Sequence, residues 1–293
     1  TQGQGVPAVV AKKEAAKPTT NTQPVQKKVV AKTPVITNGS LVPKTAVVEK
    51  TVVAPGPLRA VEQAPTTTTL TVKGVIEQTN IARAQNGGLP ALVENSTLDS
   101  DAQMKVNDMF AKQYFEHVSP APYNVGPSDL AKAVGYAYII VGENLALGDF
   151  DGDQGVVTAW MNSPGHRANI LNTHYQEIGV AVGKGMYEGR VTWLAVQSFG
   201  LPLSACPSVD TNLRVQIDTN NENIASLKTQ LDAKKAQIDA TPQNDPSYNT
   251  YVNEYNAIVL PYNELIKTNR TNVEIYNAGV KVFNDCINAA ASL

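Results

Sequence analysis

The chain has 293 residues, a formal net charge of −2 and 17% charged residues. Its length favours about two domains. Its acidic balance, without interleaved basic and aromatic residues, argues against nucleic-acid binding. No apolar run approaches the ~18 residues needed to span a membrane. Because the chain begins with Thr1 rather than Met, we expect a processed or truncated product whose secretory signal could already be gone.

Residues 1–69 contain no Phe, Trp or Tyr and are rich in Pro, Thr, Val, Lys and Gln. They carry nine Lys and Arg residues against three Glu, about +6, which leaves about −8 for the rest of the chain. Such a segment cannot bury enough apolar surface to offset the entropy lost on ordering. We therefore predict a disordered linker or stalk, either a solvated spacer or a segment resting on an anionic wall polymer or membrane.

Residues 70–202 show helical patterns first and strand patterns later, as in an α+β domain. A first helix is predicted over 75–83 and ends at the glycine pair that follows Asn86. A second helix follows Ser96, has acidic residues in its first turn, and runs towards His117.

The following elements are shorter. Ser128 is the predicted cap of a third helix that stops at Gly135, and 136–141 reads as a β-rich segment. A helix over 155–162 has Asp153 as its predicted N-cap. Two strands joined by a glycine-containing hairpin close the domain, which is expected to be an α-β-α sandwich. The two strands are predicted over 177–183 and 190–199, and the hairpin glycines are Gly183, Gly185 and Gly189.

Residues 203–293 change character, because apolar side chains recur at steps of three and four. Sustained heptads of this kind are typical of coiled coils. A Pro- and Asn-containing breaker at 241–246 separates the two series, so an antiparallel helical hairpin is predicted. The series are Leu213, Ile217, Ile224, Leu227, Leu231 and Ile238, then Tyr248, Val252, Tyr255, Val259, Tyr262, Ile266, Val273, Tyr276, Val280, Phe283 and Ile287.

Polar residues interrupt this apolar seam. Asn220, Lys234 and Asn269 occupy seam positions, where polar side chains specify register at some cost in stability. Pro261 is expected to kink or break the second helix. The hairpin could pack on the central domain, dimerise into a four-helix bundle, or engage a partner.

The two cysteines, Cys206 and Cys286, are centred on the breaker. Residues equidistant from the turn of an antiparallel hairpin lie side by side, so a disulfide across its base is predicted, with two free buried thiols as the alternative. Closing a loop of this length stabilises by about 4–5 kcal/mol in the chain-entropy model. It also implies an oxidising compartment, in agreement with secretion.

His117, Glu143 and His166 are the candidates for chemistry. Each lies in a segment that contains Gly or Pro, where turns are expected, and Gly142 beside Glu143 indicates either a sharp turn or a close backbone approach. Two imidazoles and a carboxylate could bind zinc or act as an acid and base, and they could equally make structural hydrogen bonds. Their spacing is not diagnostic, and no nucleophile motif occurs.

Other polar and aromatic residues have simpler interpretations. Asp149, Asp151 and Asp153 resemble half of a calcium loop, but Gln154 replaces its glycine and Trp160 its glutamate, so an acidic helix cap is the better interpretation. His174 is expected in a surface loop, and Trp160 and Trp193 in the core.

From about residue 75 to 200, the chain resembles the CAP superfamily, which includes cysteine-rich secretory, antigen 5 and pathogenesis-related proteins, and within it the short bacterial secreted branch. Several motifs occur in the family's order, including Gly142-Glu143-Asn144-Leu145-Ala146. The segments that carry the resemblance are 80–83, 108–120, 135–136, 142–146, 160–172, 177–182, Trp193 and 197–200.

The resemblance implies an α-β-α sandwich with a central cavity lined by two histidines and two acids, sometimes holding a divalent metal. By motif, His117 and His166 match the histidines and Glu143 the first acid. Ser163 stands at the position of the second acid, which weakens the expectation of tight metal binding and of hydrolysis. Glu177 is another acid near His166 in sequence, with no indication that it substitutes.

Three functions follow as hypotheses. The favoured one is a secreted or cell-surface, non-catalytic binding module for a small apolar ligand, a wall component or a protein, with the hairpin mediating assembly or partner binding. One alternative is a metal-dependent hydrolase in which His117 and His166 hold zinc and Glu143 is the base. The other is a structural or adhesive surface protein in which the hairpin is the working part.

Overall fold

The computed structural model describes residues 51–60 and 69–291, so the expectations for 1–50 and 61–68 lie outside the described residues. Two compact units are present. One comprises 51–60, 69–208 and 283–291, and the other comprises 209–282. In the part of the chain that is described, no helix combines the length and apolar character needed to cross a membrane.

A six-stranded sheet forms the centre of the first unit, with strand order β1-β4-β6-β5-β3, and β2 also paired with β4. The three long strands β4, β6 and β5 are antiparallel neighbours. The other three strands are short and pair in parallel, β1 and β2 with β4 and β3 with β5. The strands are β1 Thr51–Val53, β2 Leu58–Arg59, β3 Val93–Glu94, β4 Tyr138–Gly148, β5 Glu177–Tyr187 and β6 Arg190–Pro202.

Helices cover both faces of this sheet. Adjacent residues of β6 show it, because Gln197 donates to Thr79 in one helix at 2.6 Å and Ser198 donates to Asp101 in another at 2.5 Å. Successive side chains of a strand point to opposite faces, so the predicted α-β-α sandwich is confirmed. The helices of this unit are α1 Val72–Gln85, α2 Ser96–Lys112, α3 Pro127–Ala133, α4 Gly152–Asn162 and α5 Pro164–Ile170.

The second helix is shorter than predicted. It ends at Lys112, because Gln113 adopts a left-handed conformation with φ of 53° and its backbone N–H donates to the Met109 carbonyl. The Gln113 side chain then donates to the carbonyls of Phe110 and Met186. This anchors the turn and places His117 in the loop that follows.

The strand β4 is longer than predicted. The β-rich segment was predicted to end at residue 141, before Gly142, but the strand continues through residues 142–148, and every residue of β4 is buried. A strand covered on both faces lacks the alternation that identifies a half-exposed strand. Glu143 therefore lies in the middle of a strand and pairs with Ser198 of β6.

Three local predictions were also wrong. The N-cap of α4 is Asp151, and Asp153 instead accepts hydrogen bonds from Thr71. The N-cap of α3 is Gly126, and its backbone N–H donates to the side chain of Asp129 and not to that of Ser128. The β5–β6 turn is Glu188–Gly189, where both φ values are positive, while the other two hairpin glycines lie inside β5.

The linker prediction is corrected for 51–60. These residues form β1 and β2, because β4 would otherwise be an edge strand and its free backbone groups accept a partner. The backbone N–H of Ala60 continues the pairing by donating to Leu147 at 2.8 Å.

The second unit contains the predicted helical hairpin, α6 Thr211–Ala240 and most of α7 Tyr248–Ala291. Leu231 packs with Tyr255, Val259 and Tyr262, and Ile217 packs with residues nearer the end of α7. The polar seam positions are paired, since the buried Asn269 accepts from Asn220 at 3.2 Å and donates to Asn221 at 2.8 Å. Helix α7 continues through Pro261, so no break occurs there.

The predicted disulfide is confirmed. Cys206 and Cys286 are bonded, with their Cα atoms 5.8 Å apart. Both residues belong to the first unit, in which Cys206 is buried. The bond closes a loop with a sequence separation of 80 residues.

Candidate functional site

Three elements bring His117, Glu143 and His166 together beside the edge of β4. Glu143 lies on β4 itself, His117 in the loop after α2, and His166 in the first turn of α5. Their relative exposures are 9%, 1% and 2%, so all three are buried. The sequence analysis assigned these residues to one site, and the structure places them together.

His117 is held at both ring nitrogens. Its Nδ1 lies 2.6 Å from Oε1 of Glu143, and its Nε2 contacts the backbone carbonyl oxygen of Pro55. A ring with a partner at each nitrogen is fixed in orientation. Oε2 of Glu143 has no hydrogen-bond partner among the described residues.

His166 is held at one nitrogen only. Its Nδ1 lies 2.8 Å from Oγ of Ser163, the residue at the second-acid position of the family pattern. Burial, and then the charge of His117, lower the pKa of His166 from 6.5 to about 4. The ring is therefore neutral near pH 7, because the serine hydroxyl supplies no negative charge to stabilise an imidazolium. Within the described chain, Nε2 of His166 has no partner.

Asn169 joins α5 to β4. Its side-chain amide donates to the Glu143 carbonyl at 3.2 Å and to Oδ1 of Asn144 at 3.0 Å, and its own oxygen accepts from Tyr175 at 3.1 Å. Gly142 is required here, because a Cβ at that position would lie 2.1 Å from the Tyr175 hydroxyl oxygen. These contacts fix the distance between His166 and Glu143.

Lys105 fixes the other side of the site from within α2. It is fully buried, and its ammonium donates to the carbonyls of Glu116 and His117 at 2.6 and 2.8 Å and to the Tyr114 hydroxyl at 3.2 Å. Burial lowers the pKa of Lys105, while nearby carboxylates, Glu143 first among them, raise it. Three donors thus meet three acceptors and set the backbone position of His117.

Asp101 is a second buried acid near the site, after Glu143, and it lies on α2 together with Lys105. Its pKa rises to about 7, mainly through burial and partly through the charge of Glu143, while the hydrogen bond from Ser198 opposes the rise. Its Oδ1 has no partner among the described residues. The sequence analysis missed Asp101, Lys105 and Asn169. Their only sequence signal is a charged or amide residue on the apolar face of an amphipathic helix.

The residues of the site do not fit a metal ion in this arrangement. No group of three or more His, Cys, Asp and Glu side chains is placed to hold one within 51–60 and 69–291. The contacts explain this finding, because both nitrogens of His117 are engaged by Glu143 and Pro55.

Other candidate residues lie elsewhere. Glu177 accepts from the Tyr136 hydroxyl at 2.6 Å, on a strand two positions away from β4 in the sheet. His174 contacts Asn172 and is only partly buried. Trp160 and Trp193 are buried, as predicted. An open groove of about 460 Å³ beside α2 and β5 is lined by none of the three site residues, so we assign it no role in the site.

Comparisons with known proteins agree with this architecture. Residues 76–199 match the family model of CAP, the cysteine-rich secretory protein family. The uncharacterized protein YkwD of Bacillus subtilis is 42% identical over 130 residues, which cover 44% of this chain and 48% of that protein. The uncharacterized membrane protein YlbC of the same organism is 31% identical over 119 residues, which cover 41% of this chain and 33% of that protein. The chain therefore spans about half, or less, of the relatives it matches.

A solved structure is also similar, that of an extracellular protein containing an SCP domain from Bacillus anthracis. It has a TM-score of 0.37 and 27% identity, and the match covers 44% of this chain and 39% of that chain. The family match supports a bacterial-type CAP domain at residues 76–199. The resemblance predicted from the sequence is confirmed.

Acidification is expected to destabilise this domain through His166. Between pH 6.5 and about 4, the unfolded chain binds a proton at this residue that the folded chain does not bind. The free energy of unfolding therefore falls as the pH drops through that interval. His166 alone is expected to contribute a loss of about 1–3 kcal/mol between pH ~7 and pH ~4.5. Urea unfolding of the full chain measures this contribution as the difference between the wild type and a variant without the imidazole, because the raised pKa of Asp101 offsets it in the wild type.

His166→Gln removes the titrating group and should lose less stability over the same interval. Comparing each variant with the wild type cancels the other groups, including Asp101, whose raised pKa acts in the opposite direction. His174→Gln is the matched control and should behave like the wild type. An equal loss in all three proteins would contradict this assignment.

Proposed function

We propose that the protein is a secreted or cell-surface CAP-domain protein whose site is a non-catalytic binding site. The observation that carries this proposal is a pair of buried atoms, Oε2 of Glu143 and Nε2 of His166, that have no hydrogen-bond partner among residues 51–60 and 69–291. Their neighbours are fixed by hydrogen bonds, and leaving buried polar atoms unpaired costs about 1–3 kcal/mol each. A ligand that supplies partners to both atoms would recover this energy on binding.

The same contacts disfavour the hydrolase hypothesis. A hydrolase needs a base that can take a proton from water. His117 is already paired with Glu143 and contacts Pro55, and the neutral His166 is a weak base because its pKa lies near 4. The geometry thus supports hydrogen bonding to a ligand better than proton transfer.

Secretion or exposure at the cell envelope is supported by the disulfide between Cys206 and Cys286. Such bonds form and persist in oxidising compartments. The ligand classes compatible with this location are a small apolar molecule, a wall component or another protein.

For the hairpin, we propose self-association. Large apolar side chains on its helices are exposed, with Leu260 at 67%, Val215 at 64% and Ile275 at 58%. A second copy could cover them and form a four-helix bundle. Sedimentation of the full chain at rising concentration tests this, and a monomer at every concentration would contradict it.

Native mass spectrometry of the purified full chain tests the binding role. We expect a ligand retained by the wild type to be lost from a Glu143→Gln/His166→Leu double variant, because glutamine replaces a carboxylate acceptor with an amide that can present a donor, and leucine removes Nε2 altogether. His174→Gln, at the histidine outside the site, should retain the ligand. Equal retention by all three proteins, or an esterase or peptidase activity lost only in the double variant, would contradict a binding role.

A further inference from the structure

The segment 51–60 runs along the edge of β4 that does not face β6, and it crosses the site. Val53 pairs with Gly142, and Leu58 pairs with Ala146, both in parallel register. Four residues of the segment, 54–57, therefore lie opposite only three residues of β4. The extra residue forms a bulge beside Glu143.

The bulge makes its contacts with the site through backbone groups. The Pro55 carbonyl meets Nε2 of His117, and the Val53 carbonyl accepts from Asn169 at 3.3 Å. Gly165, next to His166 on α5, leaves the space that Pro55 fills, since a Cβ at Gly165 would lie 2.7 Å from Cβ of Pro55. Contacts to carbonyl groups do not depend on which side chains the strand carries.

One side chain of the segment has a specific subsite. The guanidinium of Arg59 lies 5.3 Å from the ring centroid of Phe115 and 5.8 Å from that of Tyr187. It also lies 3.9 Å from the Glu188 carboxylate. Two aromatic faces and a carboxylate select a cation at this position.

The segment covers the site without filling it. None of the residues 52–60 is fully buried, and Val52 is 42% exposed. Oε2 of Glu143 and Nε2 of His166 obtain no partner from the segment. A short, shallow strand of this kind belongs to the parts of a fold that open most readily.

We propose that the edge of β4 across His117, Glu143 and His166 is a binding site for an extended polypeptide of another protein, and that residues 51–60 are its intramolecular occupant. This inference rests on the proposed binding function and names the ligand class. The ligand pairs as a strand with β4, presents a carbonyl to His117, and places a basic side chain between Phe115 and Tyr187. A ligand with a donor or acceptor for the unpartnered atoms displaces the occupant.

A labelled decapeptide with the sequence of residues 51–60 is the probe, and its binding to the full chain is followed by fluorescence anisotropy. In the wild type the attached segment competes at a high effective concentration. Arg59→Ala in the protein weakens only the attached segment, because the added peptide keeps its own arginine. The peptide should therefore bind the Arg59→Ala protein about tenfold more tightly than it binds the wild-type protein.

Gly165→Ala added to Arg59→Ala should abolish peptide binding, because the new methyl group occupies the space of Pro55. Gly279→Ala added to Arg59→Ala is the matched control, since nothing lies within 4 Å of a Cβ at that helical position. It should leave binding unchanged. Hydrogen exchange gives a second measurement, in which excess peptide should deprotect the amide of Ala60 in the wild-type chain.

Equal affinity for all four proteins, or no binding at millimolar peptide, would overturn the assignment of a polypeptide site. The native mass spectrum distinguishes this failure from failure of the proposed function. If a non-peptide ligand depends on Glu143 and His166 while the decapeptide does not bind, the binding role stands and the polypeptide assignment falls.

Discussion

Replacing Lys105 with methionine is expected to lower the free energy of unfolding of the CAP domain by about 3–5 kcal/mol. Methionine has a similar length and can fill the space, so the loss comes from polar groups rather than from a cavity. The carbonyls of Glu116 and His117 lose the hydrogen bonds that the Lys105 ammonium donates, and the His117 carbonyl stays buried. The positive charge that balances Asp101 and Glu143 also disappears.

Urea unfolding of the full chain near pH 7 measures this loss. Lys112→Met is the matched control, because Lys112 is on the same helix and pairs with Asp108 at 2.6 Å near the surface. Such i,i+4 pairs contribute less than about 1 kcal/mol. Similar losses in the two variants would show that Lys105 has no special role. A second readout is the NMR signal of His117, which should shift in the Lys105 variant alone.

Removing the disulfide with Cys206→Ser and Cys286→Ser together is expected to lower the free energy of unfolding by about 4–5 kcal/mol. The bond closes a loop with a sequence separation of 80 residues. Without it, the unfolded chain gains the conformations that the closed loop forbids. The double substitution leaves no single reactive thiol that could form an intermolecular bond.

Chemical unfolding with and without reductant checks this expectation. Reduced wild-type protein should match the double variant, and reductant should not change the variant. A difference of less than about 1 kcal/mol between oxidised and reduced wild type would contradict the loop-closure estimate. The other variants discussed above leave the disulfide intact, so their effects can be measured in the oxidised protein.

Much of the fold was predictable because its signals are local. Helices α1 and α4 and strands β5 and β6 were placed within a few residues of their observed bounds. The hairpin followed from spacings of three and four, and its turn from the breaker at 241–246. The disulfide followed from the position of the two cysteines relative to that turn.

The errors have a shared physical cause, since in each a tertiary contact overrides a local preference. The predicted extension of α2 ended early because Gln113 is anchored to Met186 on a distant strand. At Gly142 the sequence allowed a sharp turn or a close backbone approach, and the contact with Tyr175 selects the close approach within a strand. Asp153 was expected to cap its own helix and instead binds Thr71.

The class of domain and the disulfide could be predicted from residue identity along the chain, and the three site residues were predicted from the match to the family motifs. The protonation of the site, the buried charges near it and the segment that covers it could be seen only in the tertiary structure. Burial makes His166 neutral, Lys105 and Asp101 lie behind Glu143, and residues 51–60 cover the edge of β4. These features depend on contacts between residues distant in sequence, where desolvation and strand pairing set the energies and no local pattern records them.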